Sequence, residues 1–340
     1  MNLLISALEP SANLHLEPIL HELKNPQISG IFDPKFGTPL YASSEFSVMG
    51  FLDVLPKIFK AKEAIKEMVF LAKESDTVLL IDSPAFNLPL AKAIKEKYPD
   101  KKIVYYILPK VWAWNRKRVK KVEAYVDVQA SIFPFEKQFY PHCTYVGNPL
   151  LDEIHSLHDP DKNYNQVTFL PGSRRGEITR LMPLFREVAK HIDAKKVVVA
   201  PAFFKDKDLE LLYGDISDFE ISFDMQKSVS ESDFAFICSG TATLEAALIG
   251  TPFVLAYKAK ALDYFIGSRV VKLKHVGLAN IIMDFEGKPP VHEEFLQDQA
   301  TSENLLSAYR HFDKIKFAQN AKALKDILAH GSVKNLVNLL

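Results

Sequence analysis

The segment 235–247 joins an apolar run to a helical pattern through a turn whose chemistry suits an anion. Ser239, Gly240 and Thr241 come directly before the helical pattern, and Glu245 lies one turn into it. A strand that leads straight into a helix presents backbone N–H groups and the positive end of the helix dipole, which together form a seat for a diphosphate. We expect Ser239 to cap the helix, Gly240 to allow close approach of a phosphate, and Glu245 to reach a ribose. The alternative is an ordinary helix start that packs in the core.

A second turn of the same kind adds two arginines. Gly172 and Ser173 end an apolar run, and Arg174 and Arg175 follow before the next helical pattern. The planar guanidinium group suits phosphate oxygens, and a cation at this place would offset the charge of a departing diphosphate. The alternative is a solvated loop in which Arg175 pairs with Glu177.

Asp82 is the candidate general base. It follows the apolar run Thr77–Ile81, at the carboxyl end of a predicted strand where active sites of α/β proteins form. Beside apolar walls its carboxylate could accept a proton. The equally simple alternative is a turn aspartate that bonds to the backbone near Pro84 or Asn87.

Two further segments suggest an amphiphilic partner. Residues 110–121 contain Trp112, Trp114 and six basic residues without an acid, a composition that suits an anionic membrane surface, a phosphorylated lipid or a nucleic acid. Residues 47–62 interleave lysines with large apolar side chains, among them Met49 and Phe51, which suits a groove for acyl chains. For both segments, burial in the core is the competing interpretation.

The elements that must position these residues alternate along the chain. Continuous apolar runs separated by helical patterns predict parallel sheets covered on both faces, and therefore an α/β fold. The predicted strands are Leu3–Ala7, Thr77–Ile81, Ile103–Ile107, Val126–Ile132, Val167–Leu170, Lys196–Ala200, Phe219–Phe223, Phe234–Cys238 and Phe253–Ala256. The clearest helical patterns are Ala85–Tyr98, Arg174–His191 and Thr241–Ile249.

Composition limits the remaining choices. The chain has 340 residues, 42 basic and 42 acidic side chains and two cysteines. This length favours two domains, and the composition excludes global disorder, a disulfide framework and a bulk basic nucleic-acid binder. The polar stretch 156–166 predicts domains at 1–160 and 161–305, with C-terminal helices at 306–340 that could cross back to the first domain. No run is long and apolar enough to span a membrane, and no histidine spacing indicates a metal. We expect the first residues to form a strand and not a signal peptide.

Taken together, these segments resemble the lipid-A-disaccharide synthases, a family of inverting glycosyltransferases of Gram-negative outer-membrane biogenesis. The resemblance spans residues 7 to 300 and is most specific in Pro-Gly-Ser-Arg-Arg-Gly-Glu and Trp-Ala-Trp. The matching stretches are 9–11, 82–87, 111–114, 133–136, 146–149, 170–177, 239–245, 278–280 and 295–297. It implies a GT-B fold, two Rossmann-like domains facing each other across a cleft. It also implies UDP-2,3-diacylglucosamine as donor, lipid X (2,3-diacylglucosamine 1-phosphate) as acceptor, the β(1→6) disaccharide 1-phosphate and UDP as products, and no metal or other cofactor.

The resemblance also implies roles for individual residues. Asp82 would be the base for the acceptor 6-hydroxyl, with Glu9 as the other candidate, and Arg174 and Arg175 would act on the diphosphate. The nucleotide side would comprise Gly172, Ser173, Ser239, Gly240, Thr241, Glu245, Asn280 and Gln297. The acceptor and membrane side would comprise Glu9, Ser11, Asn87, Met49, Phe51, Trp112, Trp114 and Arg116.

The chain departs from the family in its N-terminal turn. The family pattern Gly-Glu-x-Ser-Gly-Asp is here Leu8-Glu9-Pro10-Ser11-Ala12-Asn13, so we expect no glycine-only backbone angles and no acid at Asn13. Competing functions are a UDP-sugar 2-epimerase and a non-catalytic nucleotide-binding module at a membrane. The expected location is the cytoplasm, peripherally at an anionic inner-membrane surface; no nucleic-acid partner is expected, and a homo-oligomer is left open.

Overall fold

The computed structural model describes residues 1–24, 26–46, 54–259 and 273–340, and gives only the backbone for 54–58. Met49 and Phe51, with the rest of residues 47–53 of the predicted acyl groove, therefore lie outside the described residues. The chain divides into two compact units, the first formed by 1–149 with 329–340 and the second by 150–328. Among the described residues, no helix has the length and apolar character needed to cross a membrane.

The division falls at 149/150 instead of the predicted 160/161. The polar stretch that suggested a linker is hydrogen-bonded to the second unit: the amide of His158 donates to the Ile249 carbonyl over 3.0 Å, and the amide of Tyr164 to the Asp233 carboxylate over 3.1 Å. At the other end, the helices Ser302–Arg310 and Lys314–Ile327 belong to the second unit, and Ala329–Leu340 belongs to the first.

Each unit is built on a parallel sheet. In the described part of the first unit, the strands β1 to β7 run in the order β3-β2-β1-β4-β5-β6-β7. Their bounds are Asn2–Ser6, Gln27–Phe32, Tyr41–Ala42, Thr77–Ile81, Lys102–Tyr106, Val128–Ser131 and Thr144–Tyr145. In the second unit β8 to β13 run in the order β10-β9-β8-β11-β12-β13. Their bounds are Gln166–Leu170, Lys195–Val199, Glu220–Ser222, Phe234–Ile237, Phe253–Tyr257 and Glu294–Leu296.

Helices cover the sheets, which explains why the central strands are apolar throughout. All five residues of β4 and all five of β8 are buried, as expected for strands covered on both faces. Described helices lie at Pro10–Glu22, Val54–Leu71, Pro84–Lys97, Arg118–Tyr125, Pro149–Glu153, Arg175–Ala189, Leu209–Tyr213, Met225–Ser230, Ala242–Ile249, Leu278–Phe285, Ser302–Arg310, Lys314–Ile327 and Ser332–Val337. The predicted parallel α/β fold is confirmed.

The strand order locates the place where each unit can bind a ligand. In an open parallel sheet, ligands bind outside the carboxyl ends of strands at the point where the order reverses. That point lies between β1 and β4 in the first unit and between β8 and β11 in the second. Asp82 directly follows β4, and the Gly172 and Ser239 turns follow β8 and β11.

Candidate functional site

Asp82 lies in a strained turn at the switch point of the first sheet. Asp82 and Ser83 have φ angles of 49° and 44°, a left-handed conformation that is uncommon for residues other than glycine. The Asp82 carbonyl accepts hydrogen bonds from the Tyr105 hydroxyl over 2.6 Å and from Asn87 Nδ2 over 2.8 Å. Two side chains thus hold the backbone of a half-buried carboxylate in a costly conformation, and such strain occurs mainly at functional sites.

Asn87 positions this turn from inside the protein. It is fully buried; its Nδ2 also donates to the Ile81 carbonyl over 3.2 Å, and its Oδ1 accepts from Ser6 Oγ over 2.6 Å. Asn87 therefore ties the ends of β1 and β4 to the helix Pro84–Lys97. This corrects the prediction that its side chain contacts the acceptor.

Hydrogen bonds of the Asn13 side chain hold the altered N-terminal turn in place. Leu8 and Ala12 are buried, and neither has a positive φ. Asn13 Nδ2 donates to the carbonyls of Ala7 and Glu9, each over 2.9 Å, and Asn13 Oδ1 accepts from the amide of Asp33 over 2.8 Å. An aspartate could make only the last of these bonds, so the amide suits this turn. Glu9 and Ser11 are exposed at the start of the helix Pro10–Glu22, beside the end of β1.

The two tryptophans have different environments. Trp112 is 7% exposed, its ring packs edge-on against Phe135 at 5.6 Å, and its Nε1 donates to Glu136 Oε1 over 3.2 Å. Trp112 is therefore a core residue, which corrects its prediction as a membrane contact. Trp114 is 49% exposed and carries the Arg118 guanidinium over its ring at 4.7 Å. Arg116 is exposed, with its guanidinium over the Phe139 ring at 5.3 Å.

The arginine turn of the second unit is organised by Glu177. Arg174 is the N-cap of the helix Arg175–Ala189; its backbone N–H donates to Glu177 Oε2 over 3.3 Å, and its Nη1 to Glu177 Oε1 over 3.1 Å. The alternative of a solvated loop predicts a pair between Arg175 and Glu177. That pairing is wrong, because the partner of Glu177 is Arg174. Arg174, Arg175 and Ser173 remain exposed to solvent.

Gly172 is needed where the loop passes over Glu177. Its φ is +105°, and a Cβ at this position would lie 2.6 Å from Glu177 Oε2 and 3.2 Å from Cys238 Sγ. The loop can therefore lie flat on the buried Glu177 and Cys238 only with glycine here.

The neighbouring Ser-Gly-Thr turn opens the helix Ala242–Ile249, and Thr241 is its N-cap residue. Ser239 does not cap this helix as expected; its Oγ donates to the Val276 carbonyl over 3.3 Å. Gly240 has a φ of +142° and open space where a Cβ would be, and both Gly240 and Thr241 are exposed. The turn thus leaves the start of this helix exposed to solvent. The helix start lies beside the arginine loop, because the amide of Cys238 donates to the Leu170 carbonyl over 2.8 Å and joins the two strand ends.

Glu245 is half-buried one turn into this helix and accepts a hydrogen bond from Gln226 Nε2 over 3.1 Å. Burial raises the pKa of the Glu245 carboxyl, and the hydrogen bond from Gln226 opposes that rise. Gln226 also donates to the Glu153 carbonyl over 3.2 Å, which fixes the geometry of the pair. Gln226 was not predicted, because nothing in its sequence context marks it.

Asn280 is a positioning residue. It is buried; Nδ2 donates to the His292 carbonyl and to Glu294 Oε1, and Oδ1 accepts from the amides of Val291 and His292. These bonds occupy both donors and both lone pairs of the amide, which corrects its prediction as a nucleotide contact.

Glu294, which the sequence did not indicate, is the residue that Asn280 positions. Its carboxylate accepts the amides of Val276 over 2.8 Å and Gly277 over 3.1 Å, and so holds the backbone next to Ser239. Gln297 follows β13 with a φ of 51°, and its Oε1 accepts the amide of Ala259 over 3.2 Å. In the described ranges no cluster of three or more metal-ligating side chains occurs.

Comparison with known proteins identifies relatives over the full length. A family model described as lipid-A-disaccharide synthetase matches residues 3–336. Lipid-A-disaccharide synthase of Campylobacter jejuni (strain RM1221) is 50% identical over 359 aligned positions, covering 99% of this chain and 98% of the relative. That of Helicobacter pylori (strain P12) is 47% identical over 351 positions, covering 99% and 97%.

Solved structures share the fold at low identity. MurG of Acinetobacter baumannii superposes with a TM-score of 0.60 at 14% identity, covering 99% of this chain and 98% of that one. The calicheamicin glycosyltransferase CalG4 gives 0.61 at 12%, covering 99% and 96%. UDP-GlcNAc 2-epimerase of Neisseria meningitidis, bound to UDP-GlcNAc, gives 0.64 at 11%, covering 100% and 99%. The predicted GT-B fold is confirmed.

Proposed function

The chain belongs to the lipid-A-disaccharide synthase family, and we propose that Asp82 acts as its general base while the turns after β8 and β11 hold its leaving group. The enzyme is a glycosyltransferase that forms the lipid A disaccharide. The proposal concerns how the residues of the two units carry out that reaction and which substrates they receive.

In the proposed reaction, UDP-2,3-diacylglucosamine is the donor and lipid X the acceptor. The acceptor 6-hydroxyl oxygen attacks the anomeric carbon from the face opposite the diphosphate, and the bond from that carbon to the diphosphate oxygen breaks. Asp82 takes the hydroxyl proton, and UDP leaves with the electron pair. A single displacement inverts the configuration, so the product is the β(1→6) disaccharide 1-phosphate.

The observation that carries the assignment of the base is the restraint on Asp82. Tyr105 and Asn87 hold its carbonyl, the backbone is left-handed, and Oδ1 accepts the amide of Ser83 over 2.8 Å. A base held this firmly at the switch point loses little entropy when it meets the hydroxyl. A turn aspartate with no role in catalysis would gain nothing from two buried side chains that enforce an uncommon backbone conformation.

The leaving group has a matching site in the second unit. The exposed start of the helix Ala242–Ile249 and the exposed Arg174 and Arg175 supply partial and full positive charge at neighbouring strand ends. Positive charge that is already in place stabilises the diphosphate as its charge develops. Glu245, at the same end of the sheet, is available for the ribose hydroxyls.

The two competing functions are not favoured. The likeness to epimerases is one of fold, whereas sequence relatives that cover the whole chain are named as synthases. A non-catalytic module would have no use for a strained carboxylate at a switch point. We also propose that the enzyme works in the cytoplasm at the inner membrane, where exposed Trp114, Phe59 and Phe70 enter the interface of an anionic lipid surface.

The matched pair Asp82→Asn and Glu9→Gln tests the identity of the base. The amide side chain of Asp82→Asn keeps an oxygen to accept the Ser83 N–H but has no basic site, so we expect kcat to fall about 10²- to 10⁴-fold. UDP binding, measured by calorimetry, should not change. Glu9→Gln should retain kcat within a few fold. Near-normal turnover in Asp82→Asn would remove the assignment, and a selective loss in Glu9→Gln would transfer it to Glu9.

A further inference from the structure

A basic pocket lies in the first unit, next to the candidate base. Its volume is about 340 Å³, and it opens between the start of the helix Pro84–Lys97 and the segment 115–121. Pro84, Leu88 and Pro89 form an apolar side, and Lys117, Arg118 and Lys121 form the other, with no acidic residue in the lining. Apolar surface opposite concentrated positive charge suits an anionic group attached to a larger, less polar molecule.

No carboxylate of the described residues neutralises the three cations. In the ranges that the structure describes, none of them is within ion-pair distance of a carboxylate, although nearby Lys95 pairs with Asp127 at 2.7 Å. Arg118 is half-buried, and its guanidinium is held over the Trp114 ring at 4.7 Å. This stacking fixes a charge at the pocket before any ligand arrives.

The pocket is also close to the reacting end of the site. Pro84 follows Asp82 by two residues, so their Cα atoms are at most about 7.6 Å apart. Burial raises the pKa of Tyr105, the negative charge of Asp82 adds to that rise, and the positive charge of Arg118 opposes it. The Tyr105 hydroxyl donates to the Asp82 carbonyl over 2.6 Å, which links the pocket to the base through one side chain.

We propose that this pocket binds the phosphate of the acceptor, with Lys117, Arg118 and Lys121 as its specificity-determining contacts. The proposal rests on the proposed function, because it requires a phosphorylated acceptor whose hydroxyl meets Asp82. A phosphomonoester carries a charge of about −1.5 to −2 at neutral pH. In a hexopyranose 1-phosphate, C1, which carries the phosphate, and C5, which carries the 6-hydroxymethyl group, are both bonded to the ring oxygen, so the ring holds the phosphate and the 6-hydroxyl a few ångströms apart. Binding the phosphate beside Pro84 would therefore orient the hydroxyl toward Asp82.

The test compares charge-matched double variants in neutral detergent micelles. Lys117→Gln with Lys121→Gln removes two pocket charges, and Lys110→Gln with Lys120→Gln removes two charges of the same segment outside the lining. Arg118→Gln is measured separately. For each protein, kcat/KM is determined with the 1-phosphate acceptor and with the same acceptor carrying a 1-hydroxyl, and KM is determined for the donor.

We expect the pocket variants to lose roughly 10- to 100-fold in kcat/KM for the phosphorylated acceptor, the effect of losing a charge-assisted hydrogen bond. Activity on the 1-hydroxyl acceptor and KM for the donor should stay unchanged. Inorganic phosphate should compete with the acceptor in the wild-type enzyme and in the Lys110/Lys120 control, but less in the pocket variants.

Equal losses on both acceptors, or an equal loss in the control variant, would overturn the proposal. The pocket variants could instead bind vesicles of anionic phospholipid less well while still preferring the phosphorylated acceptor over the 1-hydroxyl acceptor. That result would assign the charges to the membrane and also overturn the proposal. Failure of the proposed function is distinct, since the wild-type enzyme would then form no disaccharide from these substrates.

Discussion

Glu136 gives the sharpest test of the packing in the first unit. This carboxyl is 1% exposed between Trp112 and Ser131, and burial raises its pKa from 4.5 to about 7. Hydrogen bonds from Ser131 and Trp112 oppose the rise but do not cancel it. The geometry around Ser131 also favours the protonated carboxyl. Ser131 Oγ lies 2.8 Å from both Glu136 Oε2 and the Phe133 carbonyl, but its hydroxyl has only one hydrogen to donate. When that hydrogen goes to the Phe133 carbonyl, a protonated Glu136 can donate to Ser131 Oγ and complete the second bond.

The direction of the pH dependence follows from this shift. Between pH 4.5 and 7 the folded state binds a proton at Glu136 that the unfolded state has lost, so the stability that Glu136 contributes falls as the pH rises. The full change corresponds to about 3 kcal/mol. Glu136→Gln imitates the protonated form, because its Nε2 can donate to Ser131 while its Oε1 still accepts from Trp112. The variant should therefore be more stable than the wild-type protein at pH 8 by about 3 kcal/mol, and nearly equal to it at about pH 4.5.

The assay is guanidinium unfolding at four pH values from about 4.5 to about 8, followed by tryptophan fluorescence. The chain contains two tryptophans, Trp112 and Trp114, and both lie in the first unit, so the signal reports on that unit. Glu123→Gln, at an exposed position, serves as the control. A stability difference that is the same at both ends of this pH range would refute the reasoning, and so would a Glu136→Gln variant that is less stable than the wild-type protein at the upper end.

Two further predictions concern turns at the carboxyl ends of the sheets. Asn13 is 3% exposed, so Asn13→Asp would place a buried carboxylate against the carbonyls of Ala7 and Glu9. Thermal unfolding should show that the free energy of unfolding falls by about 2–4 kcal/mol. An unchanged melting temperature would contradict this prediction. Gly172→Ala would bring a methyl group to 2.6 Å from Glu177 Oε2 at a φ of +105°. It should destabilise the loop by about 1–3 kcal/mol and lower kcat/KM for the donor, and unaltered donor kinetics would refute the close packing.

The interior of the fold was predictable because each strand is a local pattern. The nine predicted strands all overlap observed ones, since a strand buried on both faces must be apolar along its length. The unpredicted strand β2, Gln27–Phe32, contains Ser29 and Gly30. Glycine is needed there because a Cβ on Gly30 would collide with the Ile5 carbonyl of the neighbouring strand. The edge strands β3, β7 and β13 have two or three residues each and lack a surrounding apolar pattern, whereas the equally short edge strand β10 was predictable because Phe219, Ile221 and Phe223 alternate around it.

The direction in which polar side chains point was beyond the sequence. Asn87 and Asn280 stand in motifs that resemble ligand-binding ones, but both are buried and hold backbone segments in place. An amide serves either purpose equally well, and only the packing around it determines which groups it meets. Trp112 and Trp114 differ for the same reason, because the position of Phe133, Phe135 and Glu136 decides which indole is covered.

The sequence by itself determined the two parallel α/β units and the glycine-containing turns that follow β8 and β11, because strand burial and turn composition are local properties. The tertiary structure alone decided that β4 and β8 stand at switch points and that Lys117, Arg118 and Lys121 line a pocket next to Asp82. These features depend on strand order and on contacts between residues distant in the chain. Spacing along the chain does not encode such contacts, so they become visible only once the sheets are assembled.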